Sequence, residues 1–292
     1  MLFDCAQLAL FAAAILTAGR GAGQRISAAF FVACAFILAW YAPGIPLARG
    51  LRAFVADVSL MLAITIAFSS EKGMPLRDRL LRILSVPASM RAARVPATWS
   101  LRVAGQIIFD LILAGIALLV LLRSRHFAGI TPSIERLAAG VVLLYAGAQF
   151  IFDFARFCFL ATGWSMDSLH RTPIAARSLA EFWSQRWNRY VSAWLHRFVY
   201  LPLARTRHPR LGIFCAFLVS GVLHGWPILV AIGWFGALTT SLFFMVQGAF
   251  VLVEYRLRIH TWPAPIARAW TMTALLTTSP LFIDPGLKVF GL

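Results

Sequence analysis

Long apolar runs, separated by short basic segments, constrain this chain more than any other feature. Of its 292 residues, 60% are hydrophobic and 13% are charged, whereas about 25% of residues are charged in a soluble domain. Runs of about 20 apolar residues are long enough to cross a bilayer as helices. The sequence therefore predicts an all-α polytopic membrane protein with about eight transmembrane helices and interfacial amphipathic helices. The predicted spans are 5–19, 26–46, 53–70, 103–122, 137–160, 211–232, 234–253 and 267–283.

Basic residues lie mainly between the apolar runs and give the chain a formal net charge of +16. In a soluble protein this charge would indicate nucleic-acid binding, but here membrane topology and anionic lipid headgroups explain it first. Polyanionic substrates are a second explanation. The bias predicts that 71–102, 163–210 and 254–266 face the cytoplasm, and 72–102 is typical of short helices lying on the headgroups. We expect a multi-pass protein of a bacterial inner membrane or an endoplasmic-reticulum-type membrane, with membrane lipids and no nucleic acid as partners.

The motifs of several common mechanisms are absent from the sequence. There is no GxxxxGK(S/T) phosphate loop, no HExxH metal motif and no GxSxG nucleophile elbow. The cysteines lie in apolar runs without the spacing of a metal knuckle; they are Cys5, Cys34, Cys158 and Cys215. We therefore expect no metal and no bound cofactor.

The region 178–226 joins a tryptophan- and arginine-rich segment to an apolar helix. Its start has the form of a capping box, in which Ser178 is followed three residues later by Glu181. Apolar residues then recur at helical spacing. The pattern predicts one amphipathic helix at the membrane surface, with its tryptophans in the interface. The apolar face of this helix would consist of Trp183, Trp187, Tyr190, Val191, Trp194 and Phe198.

One histidine, His224, lies inside the apolar helix that follows. It is about 13 residues from the predicted start of the span, which at ~1.5 Å per residue corresponds to roughly 20 Å of depth. Ionisable groups at such depth are costly and are functional candidates. The competing interpretation is a neutral histidine bonded to a neighbouring carbonyl group. Other histidines near the ends of segments, such as His170, give little indication of function.

Two motifs in this region resemble those of a known enzyme family. The element FWSQRWN at 182–188 is followed by SGVLH at 220–224. Together they are similar to the FWxRRWN and SGLMHE elements of plant wax synthases, a branch of the membrane-bound O-acyltransferases. The resemblance covers roughly 137–282.

The resemblance implies a domain organisation, a reaction and a catalytic pair. We expect one integral membrane acyltransferase domain, 1–292, in which N-terminal spans (1–136) precede the motif-bearing part (137–292). The family's catalytic histidine falls on His224, and its paired asparagine falls on Asn188. An acyl group would pass from acyl-CoA, as co-substrate, to a hydroxyl group of a lipid or alcohol. Fatty alcohols, sterols, glycerolipids and glycans are all open as acceptors.

The sequence departs from the plant pattern at two positions. Gly225 stands where the plant enzymes have Glu, and Gln185 stands where they have Arg. If the plant Glu partners the histidine, another carboxylate must replace it or none is used. The candidates are Asp153, Glu181 and Glu254. Asp153 is also three residues before Arg156, a spacing that predicts an ion pair on one helix.

Acyl transfer from an activated thioester requires few protein groups. An imidazole in a poorly solvated site stays neutral and can take the proton of an attacking hydroxyl group, which is the predicted role of His224. The amide of Asn188 would donate to a developing oxyanion or orient the imidazole. Arg186 and Arg189 offer bidentate contacts to the coenzyme A phosphates, with membrane anchoring as the competing interpretation. Substrate-binding tryptophans, Trp183 and Trp187, would line the mouth of the site or belong to the interfacial belt.

A non-enzymatic alternative is a multi-pass transporter or lipid-handling membrane protein. His224, Asp57 and Asp110 would then form a polar pathway through the bundle. Transporters often contain internal repeats, and the sequence shows none. The combination of the two motifs favours the acyltransferase.

Overall fold

The computed structural model describes residues 2–19, 21–68, 93–124 and 129–292, and most of them are helical. The α-helices are α1 (Leu2–Thr17), α2 (Ala22–Tyr41), α3 (Pro46–Ala67), α4 (Leu101–Ser124), α5 (Ile130–Ala161), α6 (Leu179–Glu181), α7 (Arg189–Leu195), α8 (Leu201–Arg205), α9 (Pro209–Ile232), α10 (Trp234–Leu257), α11 (Ala264–Thr278) and α12 (Pro280–Val289). The smaller elements are π-helical turns at Phe182–Arg186 and His196–Tyr200, 3-10 turns at Pro173–Ala175 and Ile259–Thr261, and two short strands, β1 (Ala93–Arg94) and β2 (Trp164–Ser165).

Six helices within these described ranges are long and apolar enough to cross a membrane, namely α2, α3, α4, α5, α9 and α10. They correspond to six of the predicted spans, with shifted ends. The predicted span 26–46 ends earlier, at Tyr41, and α3 begins at Pro46. Proline fits the first turn of a helix but not its interior, which explains this boundary. The chain is an integral, multi-pass membrane protein, and the predicted all-α class is confirmed.

The first and the last predicted spans differ from the structure. α1 has 16 residues, fewer than the about 20 that a helix needs to cross a bilayer. The predicted span 267–283 is divided between α11, with 15 residues, and α12, with 10 residues. The two helices meet at Ser279, and Pro280 starts α12. The ring of proline and its missing N–H interrupt the hydrogen bonds of a continuous helix.

Most of the basic segment 72–102, predicted as interfacial helices, lies outside the described residues. Near its end the chain forms β1 instead of a helix, and β1 pairs antiparallel with β2, with Ala93 opposite Ser165. The Arg94 guanidinium lies 4.6 Å from the centroid of the Trp164 ring. These contacts tie the chain before α4 to the chain after α5.

α9 packs against both α3 and α10 and so joins the N-terminal helices to the C-terminal ones. On the α3 side, Ala53 and Val230 are buried in one apolar cluster. The nearby Trp226 ring stacks on Trp40 with 5.7 Å between ring centroids. These apolar contacts fix the position of the helix that carries His224.

Glycine residues on α9 let α10 approach closely. The Ser241 hydroxyl donates to the Gly221 carbonyl oxygen at 3.0 Å, and a Cβ added to Gly225 would lie 2.6 Å from Ser241 Oγ. A larger side chain at this position would therefore push α10 away. Small residues four apart commonly allow such packing between membrane helices. The glutamate of the plant motif would have to displace the Ser241 hydroxyl and would approach the Ala237 carbonyl oxygen, 3.3 Å from the same Cβ position.

A buried carboxylate on α10 holds the start of α6. Glu254 accepts hydrogen bonds from the backbone N–H groups of Leu179 at 2.7 Å and Ala180 at 3.1 Å, and from Trp270 Nε1 at 2.9 Å. The first N–H groups of a helix have no partner within the helix and attract negative charge. Glu254 therefore anchors the segment that leads to the FWSQRWN element.

We expect Glu254→Ala to lower the free energy of unfolding by about 3 kcal/mol or more, because three donors lose their acceptor and each unsatisfied buried group costs about 1–3 kcal/mol. Thermal unfolding in detergent would measure the loss. Arg256→Ala, at an exposed position of the same helix, is the matched control. Equal melting temperatures for the two variants would contradict the anchoring role.

Candidate active site

The tryptophan- and arginine-rich segment is not one continuous helix. After α6, a π-helical turn ends at Arg186, and α7 begins at Arg189. Between them, Asn188 has φ 35° and ψ 62°, which is left-handed backbone. Beyond this break Trp194 is buried, and its Nε1 donates to the Met61 carbonyl oxygen at 3.2 Å. The prediction of a single continuous amphipathic helix is therefore wrong.

The start of the segment agrees with the predicted capping box. The Ser178 hydroxyl accepts a hydrogen bond from the Glu181 backbone N–H at 3.0 Å. The Glu181 carboxylate reaches back to the backbone N–H of Arg177 at 2.8 Å and forms an ion pair with Arg186 at 2.7 Å. Burial disfavours the charge of Glu181, but these hydrogen bonds and the ion pair outweigh burial and hold its pKa below the ordinary value. Glu181 is therefore an ionised structural group.

Asn188 uses its oxygen and its backbone within the protein. Oδ1 accepts from the Val191 backbone N–H at 3.3 Å and so caps α7. The backbone N–H of Asn188 donates to His170 Nδ1 at 3.1 Å. The side-chain Nδ2 has no hydrogen-bond partner among the described residues, although an amide NH₂ group offers two donors.

His224 has one ring nitrogen engaged and the other available. Its Nδ1–H donates to the Ser220 carbonyl oxygen, one turn earlier, at 2.8 Å. Because a carbonyl oxygen only accepts, this bond assigns the proton to Nδ1 and leaves a lone pair on Nε2. The ring packs on Phe244 and Phe282, with centroid distances of 4.4 and 5.8 Å. The predicted hydrogen bond to a carbonyl group is thus present together with a potential base.

His224 and Asn188 line the same cavity, whose volume is about 320 Å³. Its lining is mainly apolar and consists of Ala180, Trp183, Ser184, Trp187, Asn188, Val191, Ser192, Leu195, His196, Tyr200, Ile213, Ala216, Phe217, Ser220, His224, Phe244, Val251 and Tyr255. Of the predicted site residues, His224, Asn188, Trp183 and Trp187 belong to this lining, and Arg186 and Arg189 do not. The structure therefore brings the predicted catalytic pair and both tryptophans together.

The two tryptophans of the cavity are held by different partners. Trp183 Nε1 donates to Gln247 Oε1 at 3.1 Å, and Gln247 Nε2 donates to Thr278 Oγ1 at 2.7 Å. Trp187 stacks on Phe182, with 5.6 Å between ring centroids. The Trp183 indole is thus fixed by a hydrogen bond and the Trp187 indole by ring packing inside the protein.

The two arginines instead bind groups of a neighbouring loop. Arg186, besides its ion pair, donates to the carbonyl oxygens of Arg171 and Thr172 at 3.2 and 3.1 Å. Arg189 forms an ion pair with Asp167 at 3.1 Å. These contacts occupy much of each guanidinium, and phosphate binding by these residues stays a prediction.

The candidate carboxylates have partners other than His224. Glu254 binds the first N–H groups of α6, and Glu181 binds the Arg177 backbone and the Arg186 guanidinium, as described above. Asp153 accepts from Gln149 Nε2 at 2.9 Å and lies 3.6 Å from Arg156 Nη1, so the predicted ion pair is confirmed. Across the described part of the chain, no cluster of three or more His, Cys, Asp or Glu side chains forms a potential metal site.

Sequence reasoning missed His170. The residue is 5% exposed, and its ring packs against both Trp187 and Tyr145, at centroid distances of 4.2 and 5.1 Å. Burial lowers its pKa to about 3. Its importance arises from contacts with residues that are distant in the sequence, such as Asn188, 18 positions away, and no local motif indicates it.

These features define a class: an integral membrane protein in which a histidine and an asparagine face one apolar cavity. Residues 166–246, which contain both side chains, match the sequence model of the membrane bound O-acyl transferase family. The chain is 30% identical over 146 residues to "probable long-chain-alcohol O-fatty-acyltransferase 3" of Arabidopsis thaliana, an alignment that covers 46% of this chain and 42% of the relative. It is 29% identical over 165 residues to "probable long-chain-alcohol O-fatty-acyltransferase 2" of the same plant, covering 52% of this chain and 46% of the relative. The matches span less than half the length of these relatives. The resemblance to the wax synthase-like branch of the membrane-bound O-acyltransferases is confirmed.

The capping role of Asn188 leads to a prediction about stability. Asn188→Ala removes the cap, which costs about 0.5–2 kcal/mol, and places a less tolerant residue in left-handed backbone, at roughly 1 kcal/mol. Asn188→Asp keeps an oxygen for the Val191 N–H and a side chain that tolerates this backbone. We expect a clear fall in melting temperature for the Ala variant and a small change for the Asp variant. The reverse order in detergent-solubilised protein would contradict the capping geometry.

Proposed function

We propose that this chain is a membrane-bound O-acyltransferase that transfers a fatty acyl group from acyl-CoA to a hydroxyl group of a long-chain alcohol or another lipid. One observation supports this most. His224 and Asn188 come from different elements and line one cavity with complementary groups that no described residue engages. These groups are the Nε2 lone pair of the imidazole and the Nδ2 amide N–H of the asparagine.

The proposed reaction uses both groups in one addition step. The acceptor oxygen attacks the thioester carbonyl carbon while His224 Nε2 takes the hydroxyl proton as general base. The Asn188 amide N–H donates to the oxygen of the tetrahedral intermediate, where negative charge develops. Collapse of the intermediate releases the coenzyme A thiolate, which receives the proton from the imidazolium. The products are an ester and free coenzyme A, and the protein forms no covalent bond.

The lining of the cavity supports lipid substrates. Apolar side chains such as Val191, Ile213 and Val251 dominate it, and they suit alkyl chains better than sugars or water. The curated relatives carry names that specify a long-chain alcohol and a fatty acyl group. We therefore propose a long-chain alcohol as the first acceptor to test, followed by sterols and glycerolipids.

The transporter alternative requires a polar pathway that includes the buried carboxylates. Asp57 and Asp110 are each 5% exposed. Neither is among the residues that line the cavity of His224 in the described part of the chain. The arrangement of the cavity therefore favours acyl transfer over transport.

Replacement of the base tests the mechanism directly. We expect His224→Gln to lower kcat for transfer by about 10²–10⁴-fold, the usual contribution of general base catalysis. Asn188→Asp should also lower kcat, because the donor is lost while the cap is kept. The assay follows a labelled fatty acyl group from acyl-CoA to a long-chain alcohol, with the purified protein in nanodiscs. His260→Gln, an exposed histidine that does not line this cavity, is the matched control.

Near-normal turnover in a folded His224→Gln protein would overturn the catalytic assignment. A wild-type protein that transfers no acyl group from any donor would overturn the proposed reaction. If such a protein moved a solute or protons across liposomes, and His224→Ala abolished that flux, the transporter alternative would replace the acyltransferase.

A comparison of two donors tests the proposed phosphate contacts. If Arg186 and Arg189 bind coenzyme A phosphates, their replacement by Ala raises KM for acyl-CoA. It leaves KM unchanged for the same acyl group on N-acetylcysteamine, a thioester without phosphates. A contact that binds the ground state and the transition state equally affects KM when it is removed, and leaves kcat unchanged. An equal fall in kcat with both donors would contradict phosphate binding. The arginines would then have a structural role in holding the neighbouring loop.

A further inference from the structure

Asn188 precedes the first residue of α7, so no carbonyl group of that helix accepts from its backbone N–H. The N–H therefore needs another acceptor. Buried backbone N–H groups are almost always paired, and left-handed backbone is maintained only where its surroundings fix it. The acceptor is Nδ1 of His170, at 3.1 Å. This bond comes from a side chain 18 residues earlier in the chain, and not from the secondary structure around Asn188.

The properties of His170 match this role of acceptor. Burial lowers its pKa to about 3, so the ring is neutral at ordinary pH, and acceptance at Nδ1 places the proton on Nε2. Nε2 is buried and has no hydrogen-bond partner among the described residues. An apolar ring would avoid this unsatisfied N–H and its cost. The particular contribution of a histidine here is the Nδ1 acceptor for Asn188.

The loop that carries His170 is itself fixed on both sides. The backbone N–H of Arg171 donates to the Arg186 carbonyl oxygen at 2.8 Å, and the backbone N–H of Arg189 donates to the Leu169 carbonyl oxygen at 3.0 Å. These two bonds bracket the bond between His170 and Asn188. The loop and the Asn188 turn therefore form one hydrogen-bonded unit.

A chain of hydrogen bonds extends from this unit into α5. The backbone N–H of His170 donates to Gln149 Oε1 at 3.3 Å, and Gln149 Nε2 donates to Asp153 Oδ2 at 2.9 Å. Gln149 is 7% exposed and Asp153 is 1% exposed. The ion pair of Asp153 and Arg156 thus supports the asparagine side of the site, and not His224.

We propose that His170 is a positioning residue for the reaction, which holds the Asn188 turn through Nδ1 so that the asparagine amide faces the cavity. The inference rests on the proposed acyl transfer. His170 touches Trp187 and the Asn188 backbone, and it acts through Asn188 and not on the substrate.

Two substitutions at this position separate the acceptor from the ring. His170→Phe keeps an aromatic ring against Tyr145 and Trp187 but removes the acceptor. His170→Asn loses the ring but places an amide oxygen close to the position of Nδ1. We expect the Phe variant to lower kcat by about 10–100-fold, since a misplacement of about 1 Å can cost 10²-fold, while KM for both substrates changes by less than about twofold. The Asn variant should recover most of the lost kcat.

The double variant with Asn188→Asp distinguishes a positioning role from a general structural role. The measured quantity is the further fall in kcat that His170→Phe causes in the Asn188→Asp background. If His170 acts only through the Asn188 amide, His170→Phe causes little further loss in the Asn188→Asp background, because residues that act as a unit are not additive. If the Phe variant does not fold, Gln149→Met, which removes the acceptor of the His170 backbone N–H, should give the same selective but smaller fall in kcat.

Each outcome decides between the assignments. Unchanged kcat in a folded His170→Phe protein, or in Gln149→Met where the Phe variant fails to fold, would overturn the positioning role. So would equal losses in the wild-type and Asn188→Asp backgrounds. A wild-type protein without transferase activity would instead overturn the proposed function. A selective fall in kcat with rescue by Asn supports the positioning role.

Discussion

The left-handed backbone of Asn188 is the constraint on which the rest of the site depends. A residue with a Cβ adopts this conformation at a cost of about 1–2 kcal/mol, and asparagine offsets part of that cost through local hydrogen bonds. Here Oδ1 caps α7, and the backbone N–H binds His170. The oxygen and the backbone are engaged in this way, no described residue binds the amide N–H groups, and Asn188 lines the cavity. One turn thus ends the π-helical segment, begins α7 and places the asparagine at the cavity.

Features that depend on local sequence could be predicted. The apolar runs contain the helices that cross the membrane, because a span needs only length and hydropathy. The Ser178 cap depends on residues three positions apart, and it is present as expected. His224 and Asn188 could be singled out because each has an unusual position, one in an apolar helix and one in a motif. Their common cavity could be inferred only from the family resemblance, since it requires the packing of α9 against the Asn188 segment.

Features that depend on contacts between distant segments could not be predicted. The periodicity of the tryptophans indicates a helix, but it contains no signal for the break at Asn188, whose partner His170 lies in another loop. Glu254 anchors α6 across 75 residues of sequence. From the sequence it was instead a candidate to replace the plant glutamate as the partner of His224. Two nearby arginines, Arg186 and Arg189, are typical of a phosphate-binding site, yet their described contacts are with a neighbouring loop. In each case a long-range hydrogen bond overrides the local pattern.

The imidazole of His224 is oriented by a carbonyl group and not by a carboxylate. Gly225 packs closely against Ser241 of α10, and the carbonyl group of Ser220, one turn earlier, fixes the proton of the imidazole on Nδ1. A backbone dipole orients the ring without adding a buried charge, whereas a carboxylate in an apolar cavity would need its own partner. In the proposed acyl transfer, His224 and Asn188 would supply a base and a donor without a buried charge. This suits a thioester and an alcohol, neither of which is charged at the reacting atoms, because charge would then develop only in the addition step.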